Sequence, residues 1–151
     1  GSVAIEAARI ARKGKVFAIE KNEDSIPIIR ENLGRFGVRN VTVLQAKAPQ
    51  GLETFDDPDA VFVGGSGSEM ASILRVAASR LRPQGSIVVN AATIENLGQA
   101  VAALKELGWE VDVTLVEIAR SQPILDLTRF EALNPVFVIT GRKRAREGSH
   151  D

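Results

Sequence analysis

The chain has 151 residues, 44% hydrophobic and 25% charged, with a formal net charge of zero; this is the make-up of one globular domain, and it argues against a general nucleic-acid binder, which carries a basic face. There is no cysteine, and the single histidine, His150, lies in a polar tail, which excludes disulfides, a thiolate nucleophile, a Cys- or His-based metal site and a His-containing triad. No apolar run approaches the roughly 20 residues of a membrane span and no signal peptide is visible, so the expectation is a cytoplasmic enzyme without a metal.

Gly1-Ser2-Val3-Ala4-Ile5-Glu6 reads as the last glycine of a Gly-rich loop opening a helix. From there, helical spacing predicts helices over Val3–Lys13, Glu23–Phe36, Glu69–Leu81 and Ile94–Leu107. Short apolar runs between them predict parallel strands at Val16–Ile19, Val41–Leu44, Ala60–Val63 and Ile87–Val89. Gly14, Gly37, Gly85 and Gly108 follow the helices, where a left-handed residue is expected. Glu110–Ile118 alternates and reads as a longer, half-exposed strand. A polar loop containing Pro123 comes next, and Pro135–Thr140 forms a last strand that should pair antiparallel with it. Gly141–Asp151 reads as a charged, frayed tail. The order predicts a doubly wound, Rossmann-like α/β sheet, mostly parallel with an antiparallel final strand.

Chemistry gathers where strands end. Glu20 closes a buried strand about 20 residues after the glycine, where an acid accepts hydrogen bonds from ribose hydroxyls. The plainer reading pairs it with Lys21 on the surface. Gly1 allows a ligand close to the backbone at a helix start, although a terminal Gly-Ser is also what a cloning scar leaves. Val63-Gly64-Gly65-Ser66-Gly67 lets a bulky ligand sit against the backbone, or is simply a flexible turn. Asn90 reaches a ligand or caps the next helix, with Thr93 as the other cap. Arg120, Arg129 and Glu131 flank the loop before the last strand; arginines there clamp carboxylates in bidentate fashion or serve as plain surface charge. Asp56-Asp57-Pro58-Asp59 reads as a solvated turn.

The finish of the sheet resembles class I S-adenosylmethionine (SAM)-dependent methyltransferases. More closely, Ala18-Ile19-Glu20-Lys21-Asn22, Val63-Gly64-Gly65-Ser66-Gly67, Val88-Val89-Asn90-Ala91 and Ala132-Leu133-Asn134-Pro135-Val136-Phe137 are similar to the decarboxylating precorrin methyltransferases of cobalamin biosynthesis. These include stand-alone cobalt-precorrin C(15)-methyltransferases and the C-terminal domain of precorrin-6Y C(5,15)-methyltransferases. The resemblance implies methylation at C-15 of the macrocycle with loss of the ring C acetate carboxyl. Carried over by position, it implies SAM held by Gly1, Glu20 and Ala48; Lys21, Gly64 and Gly65 are further cofactor candidates, and Ser66, Gly67, Asn90, Arg120 and Arg129 are the candidates to meet the precorrin. The catalytic candidates are Arg120, Arg129 and Glu131.

Lys47 departs from the acid usual in the stand-alone enzymes, so the adenine edge falls to the backbone at Ala48. The resemblance also implies a strand and most of a Gly-rich loop before Gly1. The sequence is therefore read as a methyltransferase domain over 1–141 with its first strand missing, then a tail over 142–151. The expected partners are a precorrin, a fused or paired C-5 methyltransferase domain and copies of the same chain (a tetramer by resemblance), with no nucleic acid and no membrane. The competing readings are a methyltransferase of the same fold with another substrate (RNA, protein or small molecule) and a non-catalytic fragment.

Overall fold

A computed structural model describes residues 1–65 and 67–143. The chain folds as two compact units, Gly1–Asp56 and the part from Asp57 onward.

The first unit holds α1 (Ser2–Ile10), β1 (Val16–Glu20), α2 (Ser25–Arg35) and β2 (Val41–Gln45). Ile5 and Ala8 of α1, and Ile26 and Ile29 of α2, recur at helical spacing and are buried. Each fully buried aliphatic side chain of the larger kind contributes about 1.5–3 kcal/mol. β1 and β2 pair in parallel from Val16↔Val41 to Glu20↔Gln45. Phe17 of β1 stacks on Phe55, ring centroids 4.6 Å apart. The carboxyl ends of both strands, Glu20 and Gln45, thus lie side by side.

The second unit runs β3 (Ala60–Val63), a 3-10 turn (Gly67–Glu69), α3 (Met70–Arg80), β4 (Ser86–Ala91), α4 (Ile94–Glu106), β5 (Glu110–Val116), β6 (Ala119–Ile124), β7 (Leu127–Ala132) and β8 (Val136–Arg142). Its main sheet has the order β3-β4-β8-β5, with β3 and β4 parallel and β8 antiparallel to both its neighbours. The antiparallel finish expected from the sequence is therefore present. Ile87 and Val89 of β4, Leu74 of α3, Leu104 of α4 and Ile139 of β8 are fully buried and form its core. Among the described residues, β1 has only β2 as a ladder partner and β3 only β4.

Three expectations need correction. The stretch read as a polar loop around Pro123 is a hairpin, β6 and β7, joined at Ile124↔Leu127. It escaped notice because both faces are exposed, so no burial alternation marks it. Its turn also places Leu125 at φ 50, where glycine or asparagine usually announces a hairpin. Second, Gly37 and Gly108 are left-handed as expected, but Gly14 and Gly85 are not. After α3 the left-handed residue is Gln84; Gly85 is needed for space, since a Cβ there would stand 2.8 Å from the Asp59 carbonyl oxygen and 2.6 Å from Leu81 Cγ. Third, the last strand continues past Thr140 to Arg142. Gly141 is buried, and Lys143 Nζ donates to the Leu81 carbonyl at 2.9 Å. The rest of the expected tail, with His150, lies outside the described residues.

Candidate active site

In the first unit, Gly1 is the N-cap of α1, and among the described residues no side-chain cap hydrogen bond closes that helix start. Its first-turn N–H groups suit an anionic ligand group. Glu20 is the last residue of β1 and half-buried. Its Oε1 accepts the backbone N–H of Asn22 at 2.8 Å, so the carboxylate is oriented by its own turn. Lys21 is exposed, and among the described residues it makes no ion pair with Glu20. A half-buried carboxylate with one oxygen fixed and no cation beside it is an acceptor set for ligand hydroxyls. Ala48 lies beyond the end of β2 and is half-buried, and the peptide that joins it to Pro49 is cis. Lys47 points its backbone carbonyl to the N–H of Gln50 at 3.1 Å.

In the second unit, Gly64 and Gly65 follow β3 and are exposed. A Cβ at Gly64 would meet Phe62 Cε1 at 2.9 Å, whereas one at Gly65 would meet nothing within 4 Å. Gly67 begins the 3-10 turn at φ 55, and Ser66 lies outside the described residues. Asn90 is half-buried in β4, opposite Val138 of β8. The cap of α4 is Thr93, whose Oγ1 accepts the Asn96 N–H at 3.2 Å; Asn90 does not serve as the cap. Asp57 and Asp59 are paired with Arg80 and Arg82, and in the first unit Asp56 with Lys15, as a solvated turn requires.

The hairpin brings the three catalytic candidates together. Arg120 stands opposite Glu131, and Gln122 opposite Arg129. Because side chains alternate along a strand, these four share one face. Arg129 Nη2 donates to Glu131 Oε1 at 3.0 Å. Two guanidinium forks beside a carboxylate can grip carboxylates and exchange a proton. Gln122 was not singled out from the sequence; its spacing of two from Arg120 becomes a signal only once a strand is recognised.

Among the described residues no group of three or more His, Cys, Asp or Glu is placed to hold a metal. No helix among them is long and apolar enough to cross a membrane.

Residues 1–143 match the family model described as a precorrin methyltransferase domain. A probable cobalt-precorrin-6B C(15)-methyltransferase (decarboxylating) of Pyrobaculum calidifontis is 39% identical over 142 residues, covering 93% of this chain and 72% of the relative. The crystal structure of precorrin-6Y C5,15-methyltransferase from Geobacter metallireducens is 41% identical with a TM-score of 0.88, over 95% of this chain and 74% of that one. The precorrin-8W decarboxylase of Methanobacterium thermoautotrophicum is 37% identical with a TM-score of 0.87, over 93% and 75%. The fold is thus the Rossmann-like methyltransferase fold, and the chain belongs to the precorrin methyltransferase family.

Proposed function

We infer that this chain methylates a precorrin macrocycle at C-15 with SAM as methyl donor, and removes the ring C acetate carboxyl as carbon dioxide, in cobalamin biosynthesis. Family membership over residues 1–143 supports the reaction. The single structural observation that carries the cofactor reading is Glu20: a half-buried carboxylate at the carboxyl end of β1, oriented by Asn22 N–H and without a cation partner among the described residues. That donor set fits a nucleoside with two vicinal hydroxyls.

When bound, the sulfonium of SAM supplies an electrophilic methyl group. Glu20 holds the ribose, with Lys21 beside it, and the backbone at Ala48 reads the adenine edge. Gly1 admits the ligand to the start of α1. Gly64 and Gly65 offer bare backbone to the cofactor, as Gly67 does to the substrate, with Ser66 and Asn90 as further polar contacts. Methyl transfer of this kind needs chiefly positioning, so no nucleophile is asked of the protein. For the decarboxylation the conjugated ring takes up the electron pair. Arg120 and Arg129 orient substrate carboxylates, and Glu131 carries the proton exchanged with the macrocycle. Neutral overall charge speaks against RNA as the substrate.

The protein acts in the cytoplasm as a homo-oligomer, a tetramer by resemblance, alone or with a C-5 methyltransferase domain fused or paired. Exposed apolar side chains on the hairpin, Leu125, Leu127 and Phe130, support self-association; light scattering behind size exclusion measures it, and a monomer at working concentration would refute it.

Calorimetry with S-adenosylhomocysteine tests the cofactor reading. Binding is expected, weakened at least about tenfold by Glu20→Ala, since a charge-assisted hydrogen bond contributes about 1.5–3 kcal/mol. An unchanged affinity removes the ribose role from Glu20; no binding by the parent protein removes the cofactor. Mass spectrometry of the incubated precorrin reads out a gained methyl and a lost carbon dioxide together.

A further inference from the structure

Within the first unit, the end of α1 and the turn between α2 and β2 line an open cavity of about 240 Å³, whose walls include Arg9, Arg12, Phe36, Gly37, Arg39 and Asn40. The N–H of Val16, the first residue of β1, donates to the Asn40 carbonyl at 2.8 Å. The cavity therefore lies at the amino ends of β1 and β2. Glu20 is at the other end of β1, a strand's length of about 3.3 Å per residue away.

The backbone beneath it is tied together. Asn40 Nδ2 donates to the carbonyls of Ala8 at 3.2 Å, Ala11 at 2.9 Å and Gly14 at 3.1 Å, tying the segment that carries Arg39 to the end of α1. Arg9 is in the last turn of α1 and Arg12 in the turn just beyond it, where Arg12 Nε donates to the Arg9 carbonyl. Charge around the cavity is one-sided. Arg9 is paired with Glu6 at 3.3 Å; among the described residues Arg12 and Arg39 have no carboxylate partner. The helix dipole explains cations at the end of α1. It does not explain Arg39, which lines the same cavity from the turn between α2 and β2. Like charges around a cavity focus a positive potential, and guanidinium forks match tetrahedral oxyanions in bidentate geometry. The volume is below the 300–1,000 Å³ usual for drug-sized ligands, which favours a small anion. Phe36, 55% exposed, adds an apolar wall against which an organic group can lie.

We propose that this cavity binds a small oxyanion of the phosphate class, free or as the terminal group of a metabolite, through Arg9, Arg12 and Arg39. The site is separate from the methyltransferase reading and does not depend on it.

The test is calorimetry at low salt with inorganic phosphate and, separately, phenyl phosphate. Saturable binding of phosphate is expected, weakened at least about tenfold in Arg12→Gln/Arg39→Gln by loss of charge-assisted hydrogen bonds. Tighter binding of phenyl phosphate identifies a terminal phosphate group backed by Phe36, and equal binding identifies free phosphate; either supports the site. Arg39→Lys keeps the charge but not the fork, and should fall between the two proteins. Both arginines are exposed, so their variants are expected to fold, and Arg39→Gln alone gives the same reading if the double variant does not. S-adenosylhomocysteine affinity should be the same in parent and variants, which separates failure of this site from failure of the cofactor reading. No saturable binding of either probe, or equal binding by the variants, overturns the proposal.

Discussion

Arg120 faces Glu131 directly across the β6–β7 ladder, and Glu131 also accepts a hydrogen bond from Arg129 at 3.0 Å. The Arg129 and Glu131 side chains are 56% and 51% exposed. A pair so open to water contributes about 0–1 kcal/mol, too little to be needed for the fold. In the proposed function it matters instead because the register sets Arg120, Arg129 and Glu131 on one face. Arg120→Ala and Arg129→Ala should therefore lower kcat/KM for the precorrin at least about tenfold, the loss of one charge-assisted contact. The unfolding free energy should stay within about 0.5 kcal/mol of the parent, and S-adenosylhomocysteine affinity should be unchanged. Turnover equal to the parent's in both variants would remove the clamp role.

A second prediction concerns the end of α1. The last carbonyls of a helix have no partner within it. Here those of Ala8 and Ala11, with that of Gly14 beyond them, converge on the part-buried amide of Asn40. Asn40→Ala removes the side-chain donor to Ala8 and Gly14, while the Ala11 carbonyl keeps the Gly14 N–H at 3.0 Å, and should cost about 1–3 kcal/mol in urea unfolding. Asn40→Asp keeps the shape but removes the donor and sets a negative charge against carbonyl oxygens. It should cost at least as much as Asn40→Ala; an aspartate variant as stable as the parent would show that the amide does not close this helix.

Helices and parallel strands could be read from the sequence because burial imprints a period. Ile73, Leu74, Ala77 and Ala78 of α3 recur at helical spacing and are buried. β4 alternates buried and half-buried residues along an apolar run. The hairpin carries no such imprint: all twelve of its residues in β6 and β7 are exposed, so hydropathy has nothing to record. For the same reason Arg120, Arg129 and Glu131 could be named but not assembled. Their shared face follows from the register Arg120↔Glu131, and register is set by a turn whose left-handed residue is Leu125, not glycine. At Glu20 the acid ending an apolar run was legible, though the strand is half-buried throughout. Its fixing by the Asn22 N–H was not, being a matter of one local hydrogen bond.

The choice between Asn90 and Thr93 as cap of α4 yields a third prediction. Thr93 has extended backbone, φ −124 and ψ 153, and its hydroxyl accepts the Asn96 N–H. Thr93→Ala should cost about 1 kcal/mol, with Thr93→Ser close to the parent. Asn90→Ala should leave the helix content unaltered and act on turnover instead. If Asn90→Ala disturbs α4, seen in amide hydrogen exchange, while Thr93→Ala does not, the assignment is reversed.

The last prediction tests how tightly β8 packs on α4. Gly141 is buried near the end of β8, opposite Ile87 and Val111 in the register. A Cβ added there would stand 2.8 and 3.0 Å from the two methyl carbons of Leu104 and 3.2 Å from Trp109 Cε3. Leu104 is fully buried and Trp109 nearly so, so neither can swing aside into solvent. Gly141→Ala should therefore destabilise by about 1–3 kcal/mol, as overpacking of a filled core does. Leu104→Ala alone should cost about 2–5 kcal/mol through the cavity it leaves. Combined, the two should cost less than their sum, because the alanine methyl at 141 enters the space that Leu104 vacates. Additive losses in the double variant, measured by urea unfolding, would mean that the strand shifts to relieve the contact and that Leu104 is not what holds position 141 to glycine.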